Sequence, residues 1–183
     1  MSSILVLSGS PSATSRTAAL TEHLAARLVG QGHQVRTVRV QDLPPAALLT
    51  ADAGHPEIAE VVAAVAEADG LLVASPVYKA AYSGVLKTLL DLLPQFALTG
   101  KVVLPVVTGG SPAHVLAIDY ALRPVLSSLG AHHIVQGWFV LDRHITVAEH
   151  GIEVEPEAAE PLYTVVDGFS SALHALPALV TTS

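Results

Sequence analysis

The sequence predicts an α/β fold, a five-stranded parallel sheet with helices on both faces, and three observations carry that expectation. Ile4 to Leu7, Leu71 to Ala74 and Val102 to Val107 are runs in which every residue is apolar. They are too short for helices and read as strands buried on both sides. Between them lie stretches with apolar residues at helical spacing, and the two kinds of segment alternate along the chain. No repeat, low-complexity segment or linker divides it, so one domain spanning residues 1–183 is expected.

Taken in order, Ile4 to Leu7 is the first strand and Ser15 to Val29 the first helix. Val35 to Val40 mixes arginines with valines, as an edge strand does, and Glu57 to Ala68 is the next helix. Leu71 to Ala74 precedes a helix from Val85 to Leu93 that Pro94 ends. Val102 to Val107 precedes a helix with strong punctuation: Ser111 as N-cap, Pro112 at its first position and Gly130 just past its end. Its apolar stripe is Val115, Ile118, Leu122, Val125 and Leu129. The last strand is Ile134 to Leu141, where Gly137 marks a bulge or a change of direction. A final helix from about Leu162 to Leu176 closes the chain.

Apolar types make up 51% of the 183 residues and charged types 14%, against about a quarter charged in an average soluble domain. A surface so short of charge is expected to be covered in part by other copies of the chain. The net charge of −7 is spread without a basic block, which argues against nucleic-acid binding. There is no cysteine, which excludes thiolate chemistry and cysteine-ligated zinc. With neither a signal-peptide pattern nor an apolar run of membrane-spanning length, a cytoplasmic protein with no membrane partner is expected. The nine histidines form no recognisable ligand spacing, and no metal is expected.

In a parallel sheet, sites lie outside the C-terminal ends of the strands. Three loops meet that rule. SGSPSATSRT, residues 8–17, carries six hydroxyls and Arg16 and leads into a helix, whose free N–H groups favour an anion. Helix capping accounts for one or two of those hydroxyls but not for six. With only Gly9 in it, the loop fits neither a dinucleotide fingerprint nor a P-loop, and a terminal monophosphate suits it better. SPVYKAAYS, residues 75–83, runs from Pro76 and Val77 through Tyr78 and Lys79 to Ser83 and offers aromatic faces and a cation to a flat ring. TGGSPAH, residues 108–114, has glycines that let backbone N–H groups come close to a ligand, with His114 in the following turn. Taken singly, the tyrosines suit packing and the glycines a tight turn equally well; convergence at one sheet edge favours a site.

The stretches SGSPSATSR, SPVYKAAYSGVLKTLLDLLP and TGGSPAHVLAIDYALRPVLSSLGA resemble the NADPH-dependent FMN reductase family, in particular the flavin reductase components of two-component alkanesulfonate monooxygenase systems. The resemblance runs from about residue 4 to residue 141. It implies a flavodoxin-like fold, hydride transfer from a nicotinamide cofactor to FMN, a homodimer or homotetramer, and a monooxygenase partner that takes the reduced FMN. It places Ser10, Ser15, Arg16 and Thr17 on the phosphate loop, with Ser12 where many members have arginine. Pro76, Val77, Tyr78 and Lys79 fall along the flavin ring, and Thr108, Gly109, Gly110 and Ser111 on its other edge. Ser83 and His114 complete the candidate set. No catalytic side chain is expected, because flavin and nicotinamide carry the chemistry.

Two rivals remain at this point: an FMN-retaining quinone, azo-dye or chromate reductase, and a non-catalytic electron carrier. Lys79, Lys87 and Lys101, expected near the ring, argue against a carrier with an acidic face. Lastly, Pro124 lies inside the fourth helix and crowds the carbonyl of Tyr120. A kink or one π-type turn can accommodate that. The resemblance favours the π-type turn, with Tyr120 at a subunit interface.

Overall fold

The computed structural model describes residues 1–148 and 151–175. Four strands form the parallel frame: β1 (Ser3–Ser8), β2 (Gln34–Arg39), β3 (Gly70–Tyr78) and β5 (Val102–Gly109). They stand in the order β2-β1-β3-β5, and the fifth place is shared by β6 (His133–Ile134) and β7 (Trp138–Leu141), both parallel to β5. A short β4 (Ala81–Tyr82) runs antiparallel to the end of β3. The main sheet therefore has seven strands where five were expected. The split of the fifth has a cause. Pro105, on β5 between the residues paired to β6 and those paired to β7, has no N–H to offer a neighbour. The chain leaves the ladder opposite it. Gly137 sits in that gap, where a Cβ would lie 2.8 Å from the Pro105 ring and 2.9 Å from its carbonyl oxygen.

Strand side chains alternate between two cores. Leu5, Leu7, Leu71, Val73, Val103 and Val107 face α3 (Pro56–Glu67), α4 (Gly84–Leu90) and the segment that ends in α5 (Arg123–Ser128). Ile4, Val6, Leu72, Leu104 and Val106 face α1 (Arg16–Gly30) and α6 (Pro156–Ala175). Burial of each such side chain is worth about 1.5–3 kcal/mol. A short α2 (Pro45–Leu49) packs beside α4. No helix among the described residues is long and apolar enough to cross a membrane.

The helix predicted from Ser111 to Gly130 is not continuous. Ser111 caps a single 3-10 turn, Pro112–His114, by accepting from the Ala113 N–H, and a π-helical segment, Ile118–Leu122, follows before α5. The Arg123 N–H donates to the Ile118 carbonyl five residues back, so the π turn stands directly before Pro124, where an α-helical donor is missing. The extra residue shifts the helix phase. Leu126 joins Ile118, Leu122 and Leu129 in the core, while the predicted Val115 is 48% exposed.

Beyond residue 141 the sequence announced only a helix. The structure adds a 3-10 turn, Asp142–His144, and an antiparallel hairpin of β8 (Ile145–Ala148) and β9 (Gly151–Val154). The helix itself begins at Pro156 rather than Leu162, and the predicted end at Leu176 lies outside the described residues. Lys101 also departs from expectation. It stands just before β5, at the sheet edge away from the ring loops, and its ammonium donates to the Ala66 and Ala68 carbonyls at the C-terminus of α3. Partial burial there lowers its pKa.

Candidate functional site

The C-terminal ends of β1, β3, β5 and β7 open on a hollow of about 580 Å3, a size suited to a small ligand. Ser15, Arg16 and Thr17 line one wall, Pro76, Val77 and Tyr78 a second, and Thr108 with Gly109 the floor between them. The three predicted loops thus meet, and they are tied to each other. Thr17 and Thr108 share a buried hydroxyl hydrogen bond of 2.6 Å. The Gly9 N–H donates to the Ala74 carbonyl at 2.8 Å, and Ser83 Oγ donates to the Gly9 carbonyl. Ser83 also caps α4, and its N–H donates to Ser75 Oγ at 2.9 Å.

The loop expected to hold a phosphate is organised differently from a ring of free hydroxyls. Ser10 Oγ donates to the Ser12 carbonyl at 3.0 Å, leaving Ser15 Oγ to donate the 2.6 Å bond between Ser10 and Ser15. Ser15 Oγ accepts from the Ala18 N–H and caps α1. Both protons are therefore committed to shaping the loop. What remains for an anion includes the N–H groups of Arg16 and Thr17, which have no partner among the described residues, one hydroxyl proton of the Ser12–Thr14 pair, and the terminal nitrogens of Arg16. Arg16 Nε donates to the Ile145 carbonyl at 3.2 Å. This donor set, at the positive end of a helix, fits a phosphate.

The turn that follows Tyr78 carries backbone strain. Lys79 and Ala80 both have positive φ, 49° and 64°, and form the two-residue tip that joins β3 to β4. Such turns favour glycine and asparagine, and alanine there costs about 1 kcal/mol. Ala80→Gly should raise the thermal midpoint by about 1–2 °C and Ala80→Val should lower it by several degrees. A Val variant as stable as the parent would contradict the strained tip.

Of the remaining predicted residues, Ser10 is buried beneath the loop and Ser12 is exposed at its crest. Lys79, Ser83, Gly110, Ser111 and His114 are not on the wall of the hollow. Gly110 is next to it, and a Cβ there would meet nothing closer than Asp142 Oδ2 at 3.9 Å. Sequence reasoning missed a third wall, made of Asp142, Arg143, Ile145, Thr146 and Val147, and Thr14 beside Ser15. The signal was available: the turn after the last parallel strand obeys the same edge rule as the other three loops. His144 is turned away from the hollow, with Nδ1 2.6 Å from Glu155 and 3.2 Å from Glu157. Those contacts fasten the turn to the start of α6.

Comparison with known proteins gives the family and the fold. An FMN reductase (NADPH) of Escherichia coli is 46% identical over 93% of this chain and 90% of its own length. An FMN reductase (NADPH) of Pseudomonas putida is 49% identical over 80% of this chain and 74% of its own. The apo structure of an NADH:FMN oxidoreductase (EMOB) superposes with a TM-score of 0.89 at 47% identity, covering 97% of this chain and 92% of that one. A flavodoxin of Bacillus cereus, at 17% identity and a TM-score of 0.65, shares the flavodoxin-like fold. The family described as NADPH-dependent FMN reductase matches residues 2–146, a span that takes in the named lining of the hollow except Val147, and the chain belongs to that family.

Proposed function

We propose that the chain reduces FMN with NADPH in the cytoplasm and releases the reduced flavin to a flavin-dependent monooxygenase of the alkanesulfonate type. The observation that carries this reading is the open hollow at the sheet edge, with anion donors at the start of α1 and a wall at Pro76, Val77 and Tyr78. Hydride passes from nicotinamide C4 to flavin N5, so the two ligands supply the chemistry and the protein supplies alignment. Arg16 and the first N–H groups of α1 hold the phosphate. Ser10, Ser12, Ser15 and Thr17 shape that loop, and Tyr78, with Lys79 at its tip, covers the ring. Thr108, Gly109, Gly110 and Ser111 border its other edge. His114 and Ser83 support these segments from outside the hollow.

Purified protein should be colourless and should oxidise NADPH only when FMN is added. Flavin that survives gel filtration, together with no rate on free FMN, would overturn release and favour an FMN-retaining quinone reductase.

The same reading includes a homo-oligomer. Leu116 and Tyr120 are 57% and 79% exposed, and the π-helical segment that carries Tyr120 packs against β4 beside Tyr78. An apolar face at the rim of the hollow suits a second copy of the chain, and it would connect assembly to flavin exchange. Deleting Tyr120 removes the extra residue of the π turn. The deletion variant is expected to show a smaller assembly by light scattering or to retain flavin through gel filtration. A folded variant that matches its parent in both measurements would rule out this role.

A further inference from the structure

We infer that Thr108 acts on the flavin phosphate through Thr17: its hydroxyl donates to Thr17 Oγ1 and so turns the Thr17 proton onto the anion. The inference rests on the hollow being the site that holds FMN. Thr17 stands at the start of α1 and Thr108 near the end of β5, and their hydroxyl oxygens are 2.6 Å apart. Both residues line the hollow, yet they are only 3% and 1% exposed.

The pair holds two protons, and the bond between its members uses one. The other has no acceptor among the described residues. Thr21, Thr50 and Thr164 differ in this respect, since each donates to the carbonyl four residues back. A buried donor left without an acceptor is destabilising, so the second proton of the pair is placed to serve a ligand in the hollow.

The pair has two possible directions. Thr17 donates outward and accepts from Thr108, or the reverse. The surroundings of Thr17 decide between them. It is the second residue of α1, beside Arg16 at the positive end of the helix, and its own N–H has no partner among the described residues. An anion that takes those N–H groups comes to Thr17 first. A hydrogen bond to an ionised acceptor is also roughly twice as strong as one between neutral groups, which favours phosphate over a ring atom. With the Thr17 proton on the phosphate, Thr17 Oγ1 accepts from Thr108, and each bond polarises the other. Thr108 is thus a positioning residue for the phosphate, reaching it from the floor of the hollow.

Thr108→Val keeps the side-chain shape and removes the hydroxyl. The dissociation constant for FMN, measured by flavin fluorescence, should rise about fivefold more than that for riboflavin, and Thr108→Ser should restore most of the difference. In a protein that already carries Thr17→Val, adding Thr108→Val should change the ratio of the two constants by less than about twofold, because no Thr17 proton is left to direct. Equal weakening of both flavins overturns the inference and makes Thr108 a support of the ring. A change in the ratio that is the same with and without Thr17→Val also overturns it, as does unchanged binding of both flavins. If Thr108→Val does not fold, Thr108→Ala in the same cycle gives the same readings. A parent protein that binds neither FMN nor riboflavin would instead overturn the functional reading, and this inference with it.

Discussion

Gly9→Ala is expected to lower the thermal midpoint by about 6–12 °C and to weaken FMN binding at the same time. A Cβ on Gly9 would lie 2.6 Å from Leu86 Cβ and 3.1 Å from the Ala74 carbonyl oxygen. Neither atom is the free end of a flexible chain, so α4 or the end of β3 must move. Overpacking of this kind costs about 3 kcal/mol, and each kcal/mol lowers the midpoint by about 2–4 °C in a chain of this size. The binding effect follows from the hydrogen bonds. Gly9 donates to Ala74 and accepts from Ser83, so a displaced Gly9 moves the phosphate loop and the start of α4 together. Gly84→Ala is the matched control, because a Cβ there meets nothing within 4 Å. It should leave the midpoint unchanged or raise it slightly. If both substitutions have the same effect, the close packing at Gly9 is not what the fold depends on.

The contrast between Gly9 and Arg143 shows which parts of the molecule the sequence makes legible. Strands buried on both faces must be apolar throughout, so β1, β3 and β5 stand out, and the loops at their ends follow from the edge rule. The hairpin of β8 and β9 has no such constraint. Its residues are largely exposed, its strands have four residues each, and alternation over so short a span is indistinct. Arg143 was hidden behind that indistinctness. The break before Pro124 was legible for the opposite reason: Pro124 removes one particular donor, and the chain must answer at that place, though the residues alone left a kink and a π turn both open. The division of labour in the phosphate loop was not legible. Six hydroxyls suggest six donors, yet the protons of Ser10 and Ser15 are taken up inside the loop, and only coordinates show this.

That division makes Arg16→Ala the sharpest test of the anion site. With two hydroxyl protons committed internally, the full positive charge at the start of α1 is that of Arg16. Loss of a charge-assisted hydrogen bond costs about 1.5–3 kcal/mol, so the dissociation constant for FMN should rise by about tenfold to a hundredfold. Riboflavin has no phosphate, and its affinity should change by no more than about twofold. Added salt should weaken FMN binding to the parent protein more than to the variant, since the variant has lost the screened charge. Arg16 has a second contact, from Nε to the Ile145 carbonyl, which ties the hairpin to α1. Losing that tie would loosen the wall that both flavins share. Equal weakening of FMN and riboflavin would therefore mean that Arg16 acts through the hairpin, and the phosphate assignment would fall.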